Sequence, residues 1–180
     1  DMDLVYQMRN AEIIGNDSGK AAQLIHLARK PMRVEVSETF FFHHYVEMRS
    51  DHRACDTPIE RNDGVAFLMF LPKALGHALR AAMVLDGEPY PYDKWLYRVA
   101  GKTPTGQTIT PHVERLMDRL AEDALRHAGP EEDNPISREL RAIRQVLVDA
   151  AHAKGLHAQW LEEWWLYMER AREAREQIRW

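Results

Sequence analysis

Apolar residues recur at spacings of three and four along most of the chain, as they do in helices that bury one face. A few extended residues are expected only near the start, at 13–14 and 33–36. We therefore predict an all-α fold, a bundle of five to six helices joined by short capped turns. Besides a short helix within residues 4–14, the predicted helices cover residues 19–30, 38–54, 65–85, 111–128, 138–153 and 157 to the end.

Capping residues and breaks set the predicted boundaries of these helices. Ser37 is expected to cap the helix over 38–54, and a loop at 55–58 to follow it. Asn62 or Asp63 is expected to cap the central helix. The Gly-, Thr- and Pro-rich residues 101–108 are interpreted as a link between two helical halves.

The central segment, residues 65–97, carries a basic stripe on an apolar helix. Lys73, His77 and Arg80 are four and three positions apart, so they share one face. The stripe is either the solvent-facing side of an amphipathic helix or the lining of a cleft that binds an anion such as phosphate or carboxylate. The opposite face consists of Phe67, Leu71, Leu75, Leu79 and Ala82.

A stiff aromatic turn follows this helix. Pro89 and Pro91 each fix a φ angle, so Tyr90, Tyr92 and Trp95 are presented from a rigid backbone. Such a turn either covers the hydrophobic core or forms one wall of a ligand cleft.

Composition and charge narrow the classes of protein. The net charge of −4 and the pI near 6.1 give no reason to expect a nucleic-acid partner. No stretch reaches the roughly 18 consecutive apolar residues of a membrane span, because the basic stripe interrupts the best candidate. A single cysteine, Cys55, excludes an internal disulfide and fits a cytoplasmic protein.

No complete catalytic or metal motif is present. His43 and His44 are adjacent and point about 100° apart on a helix, so we expect them not to share one metal ion but to lie at the surface or the core edge. Pairing of His43 with Glu47 would still need a third ligand. Residues 15–20 have the wrong spacing for a phosphate loop. Arg119 and His127 are too far apart for the Arg–His motif of RNA-cleaving helical toxins.

Three segments together resemble a known family. The sequence DSG at residues 17–19, the helical block at 65–85 and the turn YPYDKWL at 90–96 are similar, in order and spacing, to the later part of nucleotidyltransferase-fold proteins of the kanamycin nucleotidyltransferase type. In that family an α/β catalytic domain is followed by a helical bundle that binds the acceptor. The resemblance spans about residues 10–100, and the turn is its most specific part.

The resemblance implies a function and a division of the chain. Residues 1–36 would be an N-terminal segment at the end of a catalytic domain, and 37–180 the substrate-binding bundle. The intact enzyme would use Mg²⁺ and a nucleoside triphosphate to transfer a nucleoside monophosphate to a hydroxyl of a small acceptor. The chain begins without an initiator methionine, so we expect a missing upstream part.

The resemblance also implies roles for particular side chains. The stripe and the residues Tyr90, Tyr92, Lys94 and Trp95 would bind substrate, and Glu88 would be the general base. Asp1, Asp3 and Glu35 would hold the metal, although the preferred interpretation of Asp1 and Asp3 is that they are ordinary acids at a helix start. The family's upstream Gly-Ser is absent, so this chain alone is expected to be inactive.

A second function class stays open at this point. The chain would then be a non-catalytic helical module that binds a partner protein or a second copy of itself, through the apolar central helix or the tryptophan-rich last helix.

Overall fold

Helices make up all the regular secondary structure of residues 1–15, 19–121 and 134–177, which are the residues that the computed structural model describes. The predicted all-α class is thereby confirmed, with eight α-helices in these ranges rather than five to six. Two 3₁₀ turns, Gln159–Leu161 and Trp164–Tyr167, precede the last helix. The α-helices are α1 (Met2–Arg9), α2 (Lys20–Ala28), α3 (Val34–Arg61), α4 (Gly64–Leu85), α5 (Asp93–Ala100), α6 (Pro104–Ala121), α7 (Pro135–Ala153) and α8 (Met168–Gln177).

The long helices α3 and α4 form the antiparallel centre of the fold. Asn62 adopts a left-handed conformation with φ 55°, which ends α3, and Asp63 accepts a hydrogen bond from the Ala66 N–H at 3.0 Å, which begins α4. The predicted Asp63 cap is therefore confirmed. With 28 residues, α3 is about 42 Å long and offers a full face to its neighbours.

Helix α3 begins earlier than predicted. The expected extended stretch 33–36 is wrong, because Val34 is already the first helical residue. Ser37 was expected to cap the helix, but its hydroxyl instead donates to the carbonyl oxygen of Val84 on α4. A contact between distant parts of the chain thus decides the role of this serine.

Helix α3 also continues through the expected loop at 55–58. Pro58 lies inside the helix, where a proline costs about 3 kcal/mol. Cys55, Pro58 and Ile59 are buried, and Cys55 and Ile59 pack in a hydrophobic cluster with Phe67 and Leu71 of α4. Burial of this last stretch offsets the lost backbone hydrogen bond.

Residues 101–108 are not a linker. Helix α6 already begins at Pro104, and Thr105 donates both its N–H (2.8 Å) and its hydroxyl (2.7 Å) to the carboxylate of Asp86. Gly106 is required here, because an added Cβ would lie 1.9 Å from the carbonyl oxygen of Ala100. The segment is packed tightly against the ends of α4 and α5.

The C-terminal third differs from its prediction at two boundaries. Helix α7 begins at Pro135 and not at the predicted residue 138, and Asn134 caps it, since its side-chain oxygen accepts from the N–H groups of Ile136 and Ser137. The helix predicted from residue 157 begins only at Met168, after the two 3₁₀ turns. The predicted end of the helix over 111–128 lies outside the described residues.

The main core lies between α3, α4 and the C-terminal turns. Phe41 and Tyr45 are fully buried, and the Tyr45 hydroxyl donates to the Leu161 carbonyl at 2.6 Å. Met2, from α1, belongs to the same hydrophobic cluster. The predicted division of the chain into residues 1–36 and 37–180 stays a prediction.

Helix α4 has the length and apolar content of a membrane span, with a mean hydropathy of 1.3 over its most apolar window. Half of that window is buried inside the fold.

Candidate functional site

A cleft of about 860 Å³ opens where both ends of the described chain meet the centre of the fold. Helices α3 and α4 form its floor, the aromatic turn forms one wall, and the start of α1 and the end of α8 form its edges. The lining residues are Asp1, Met2, Asp3, Phe40, His44, His77, Arg80, Tyr90, Pro91, Tyr92, Asp93 and Arg175.

The N-terminal helix fixes the aromatic turn against the cleft. Asp1 caps α1 by accepting the N–H of Asp3 at 3.1 Å. One carboxylate oxygen of Asp3 accepts the backbone N–H of Tyr92 at 2.9 Å, and the other accepts the side-chain amide of Gln7 at 2.9 Å. These hydrogen bonds give the two aspartates a structural role at the helix start and the turn.

Arg80, which comes from α4, is held against the aromatic turn by two contacts. Its guanidinium forms an ion pair with Asp93 and lies over the ring of Tyr90, 5.6 Å from the ring centroid. Its side chain is only 18% exposed, so the charge is directed along the wall rather than into bulk solvent.

Three imidazoles converge on the floor of the cleft. His43 and His44 lie on α3, His77 lies on α4, and one ring nitrogen of each lies within 4.8 Å of the others. His43 and His44 are buried, so their predicted surface or core-edge position is wrong. The rings of His43 and His44 do not point apart as expected, because their centroids are only 4.9 Å apart. His77 lies beside both, with ring centroids 5.2 Å from His44 and 6.0 Å from His43.

Hydrogen bonds orient these rings. Nδ1 of His43 lies 3.2 Å from the carbonyl oxygen of Ala171 and must donate to it, which leaves the electron pair of Nε2 facing Nη1 of Arg175 at 3.4 Å. Nδ1 of His44 and Nδ1 of His77 are 2.9 Å apart and share one proton. Nε2 of His44 lies 2.9 Å from the Tyr90 hydroxyl.

Burial keeps all three imidazoles uncharged at neutral pH. Burial, followed by the nearby Arg175, lowers the pKa of His43 to about 4. Burial, followed by Arg80, lowers the pKa of His77 to about 4. Burial and the neighbouring His77 hold the pKa of His44 well below its usual value.

The basic stripe divides between the cleft and the surface. His77 and Arg80 line the cleft, as the cleft interpretation predicts, whereas Lys73 is exposed and lies over the Phe70 ring. On the opposite face Phe67, Leu71, Leu79 and Ala82 are buried and Leu75 is half-buried, which agrees with the predicted pattern.

The other predicted site residues are likewise divided. Tyr90 and Tyr92 line the cleft, but Lys94 and Trp95 pair with each other outside it, with Nζ 5.3 Å from the ring centroid. Glu88 forms an ion pair with Arg9 at 2.6 Å and does not line the cleft.

The predicted metal ligands do not converge. Asp1 and Asp3 lie at the cleft edge, while Glu35 is exposed in the first turn of α3. Within the described ranges, His43, His44 and His77 have ligand atoms within 4.8 Å of one another, whereas the carboxylates of Asp1, Asp3 and Glu35 do not form such a group.

Sequence reasoning missed His43 and His44 of the histidine cluster, and it missed five other residues that line the cleft: Met2, Phe40, Pro91, Asp93 and Arg175. A usable signal was present for two of them, because consecutive histidines on one helix and a histidine on the polar face of the next helix meet if the helices pack antiparallel. No local pattern indicated that Arg175 would reach the cleft from the far end of the chain.

Comparisons with protein-family models, with curated proteins and with solved structures give no match to this chain.

Proposed function

We propose that this chain is the helical acceptor-binding part of a nucleotidyltransferase-like protein, and that its cleft holds a small polar ligand. The observation that supports this proposal is the convergence of four predicted binding residues. His77 and Arg80 come from the helix and Tyr90 and Tyr92 from the turn, and all four line the same cleft of about 860 Å³.

The chemistry of the cleft suits a ligand that carries phosphate and hydroxyl groups. Arg80 and Arg175 supply guanidinium donors, which bind phosphate oxygens in pairs. Tyr90 supplies an aromatic face and Tyr92 is exposed at the cleft edge. The carboxylates of Asp1, Asp3 and Asp93, which also line the cleft, would accept hydrogen bonds from hydroxyl or ammonium groups of an acceptor.

The proposal covers binding and not the chemical step. Nucleotidyl transfer needs carboxylates that hold Mg²⁺, and Asp1, Asp3 and Glu35 do not come together. Glu88 is paired with Arg9 outside the cleft, so the proposal does not depend on it as a general base. The reaction would require a catalytic domain supplied from outside this bundle.

Isothermal titration calorimetry of the purified chain tests the proposal. The titrants are Mg-ATP and a panel of aminoglycosides, each injected into the wild-type chain and into Arg80→Ala. We expect heat from at least one titrant and a weaker interaction in the variant. Absence of heat with every titrant would refute the proposal.

Exposed apolar residues favour a second candidate function, self-association. Val65, Leu68 and Met69 share one face of the first half of α4 and are 77%, 56% and 63% exposed. Sedimentation velocity across a concentration series would reveal a dimer, and Leu68→Lys should abolish it. Met117→Lys, which changes an exposed apolar residue on α6, is the matched control.

A further inference from the structure

We propose that His43, His44 and His77 form a binding site for one divalent transition-metal ion, such as Zn²⁺, on the floor of the cleft. This inference goes beyond the proposed acceptor binding and does not rest on it. Its basis is the convergence of three ring nitrogens, from two helices, within 4.8 Å of one another.

The donor set selects the class of metal. Imidazole nitrogen suits Zn²⁺, Co²⁺, Ni²⁺ and Cu²⁺, whereas Mg²⁺ and Ca²⁺ require oxygen ligands. Tetrahedral zinc with bonds of about 2.0–2.1 Å places its nitrogen ligands about 3.3 Å apart. Nδ1 of His44 and Nδ1 of His77 are already 2.9 Å apart, and one ring nitrogen of each of the three histidines lies within 4.8 Å of the others. Small side-chain rotations therefore suffice to bring all three nitrogens to bonding distance.

The surrounding hydrogen bonds resemble those that orient ligands in metal sites. The Ala171 carbonyl fixes Nδ1–H of His43 and leaves Nε2 to bind the ion. The Tyr90 hydroxyl lies 2.9 Å from Nε2 of His44 and can accept a hydrogen bond from the Nε2–H, which leaves Nδ1 of His44 to bind the ion. The ion would take the place of the proton now shared between His44 and His77.

One tautomer must change when the ion binds. Nδ1 of His77 can bind the ion only if the ring proton moves to Nε2, because a neutral imidazole has one protonated nitrogen. All three rings are already uncharged at neutral pH, so binding needs no net loss of protons from them.

Positive charge beside the site determines the fourth ligand. Nη1 of Arg175 lies 3.4 Å from Nε2 of His43 and must move away, which is feasible because Arg175 is exposed near the end of α8. Arg80 is neutralised in part by Asp93. Since His44 and His77 line the cleft, the fourth position of the ion faces it, and the two arginines would favour an anion there, either hydroxide or a carboxylate or phosphate oxygen.

Metal titration of the tag-free chain at neutral pH tests the site. Calorimetry with Zn²⁺ should give one ion per chain, and Co²⁺ should give the intense visible absorption of a tetrahedral complex. Mg²⁺ should give neither heat nor displacement. Replacing one ligand, in His43→Asn or His77→Asn, should weaken Zn²⁺ binding by about 100-fold or more, and Tyr90→Phe by about 10-fold.

Two matched controls separate this site from other histidines. His26 is a single exposed histidine, and His152 stacks on His157 with ring centroids 4.7 Å apart. His26→Asn and His152→Asn should leave the affinity of the single site unchanged. Loss of binding in His152→Asn with retention in His77→Asn would overturn the proposal.

A measurement on the wild-type chain tests the site without substitutions, because a variant that fails to fold would lose the metal ion for an unrelated reason. Nitrogen-15 NMR of the imidazoles should show the proton of His77 moving to Nε2 when one equivalent of Zn²⁺ is added, and shifts confined to His43, His44 and His77. Unchanged signals from these rings, or binding weaker than millimolar, would refute the metal site. Neither result decides the acceptor-binding proposal, because that proposal is tested separately by calorimetry with Mg-ATP and aminoglycosides.

Discussion

The carboxylate of Asp86, at the end of α4, accepts both the backbone N–H and the hydroxyl of Thr105, in the first turn of α6. The side chain of Asp86 is only 4% exposed, and Lys154 adds a third contact at 3.5 Å. These hydrogen bonds join the central helix pair to the second half of the chain.

Asp86→Ala should lower the free energy of unfolding by about 2–4 kcal/mol, because it leaves the buried donors of Thr105 without a partner. Urea unfolding followed by tryptophan fluorescence measures the change. The control is Asp149→Ala, which removes an exposed carboxylate that accepts a hydrogen bond from Gln145 and should cost about 0.5 kcal/mol or less. Equal effects of the two substitutions would contradict the role of Asp86.

Gly106→Ala should be more damaging than most single substitutions. The new Cβ would lie 1.9 Å from the backbone oxygen of Ala100, so the chain must shift, at a cost of about 3 kcal/mol or more. Gly101→Ala is the control, because its Cβ would lie 3.4 Å from the nearest atom, a methyl carbon of Thr110. Thermal unfolding should show a large fall in Tm for the first variant and little change for the second.

His52 should make the fold less stable in mild acid. Burial, followed by the charges of Arg49, Arg144 and Arg141, lowers the pKa of His52 to about 4. The unfolded chain binds a proton on this ring below about pH 6.5 and the folded chain does not, so stability falls as the pH falls from 6.5 to 4. The loss from this residue is about 2 kcal/mol between pH 7 and pH 5.

Urea unfolding at the two pH values measures that loss in the wild type and in His52→Gln. The glutamine cannot titrate, so the variant should lose about 2 kcal/mol less than the wild type. The pKa values of His43 and His77 are also lowered, so these residues reduce the free energy of unfolding at low pH in the wild type and in the variant alike. The same pH dependence in both proteins would show that His52 is not responsible.

Cys55 should not react with thiol reagents in the folded protein. The side chain is fully buried, and burial raises the pKa of its thiol to about 12. About one thiol in 10⁴ would be ionised at pH 8, and access is blocked as well. Labelling with dithiobis(2-nitrobenzoate) should therefore require denaturant, whereas Ala153→Cys, at an exposed position, should be labelled at once.

Arg80→Ala should reduce binding of the ligand identified by calorimetry by about 10–100-fold, because it removes charge-assisted hydrogen bonds inside the cleft. Its effect on stability should be about 1 kcal/mol or less, since its partner Asp93 is 71% exposed. The control Lys73→Ala removes a cation of the same stripe that lies outside the cleft, and it should leave affinity unchanged. Equal losses in both variants would indicate a general charge effect and not a cleft contact.

Local sequence signals predicted most of the helices, but they missed α5, which begins inside the segment interpreted as the aromatic turn, and several helix ends. The spacing of apolar residues identified the central helix and its buried face, and Asp63 acted as a cap because capping depends on neighbouring residues only. Ser37, Pro58 and residues 101–108 were misjudged for a common reason. Their predicted roles assumed an isolated segment, whereas Val84, the cluster around Ile59 and Asp86 supply partners from elsewhere in the chain.

The sequence by itself determined the all-α class, the placement of His77 and Arg80 on one face, and the stiffness of the turn that carries Tyr90, because each depends on spacing or on proline geometry within a few residues. The tertiary structure decided which of the stripe residues enter the cleft and that His43, His44 and His77 meet. The physical reason is that His43 and His44 lie next to each other on α3, and only antiparallel packing of α4 against α3 brings the third ring, that of His77, beside both.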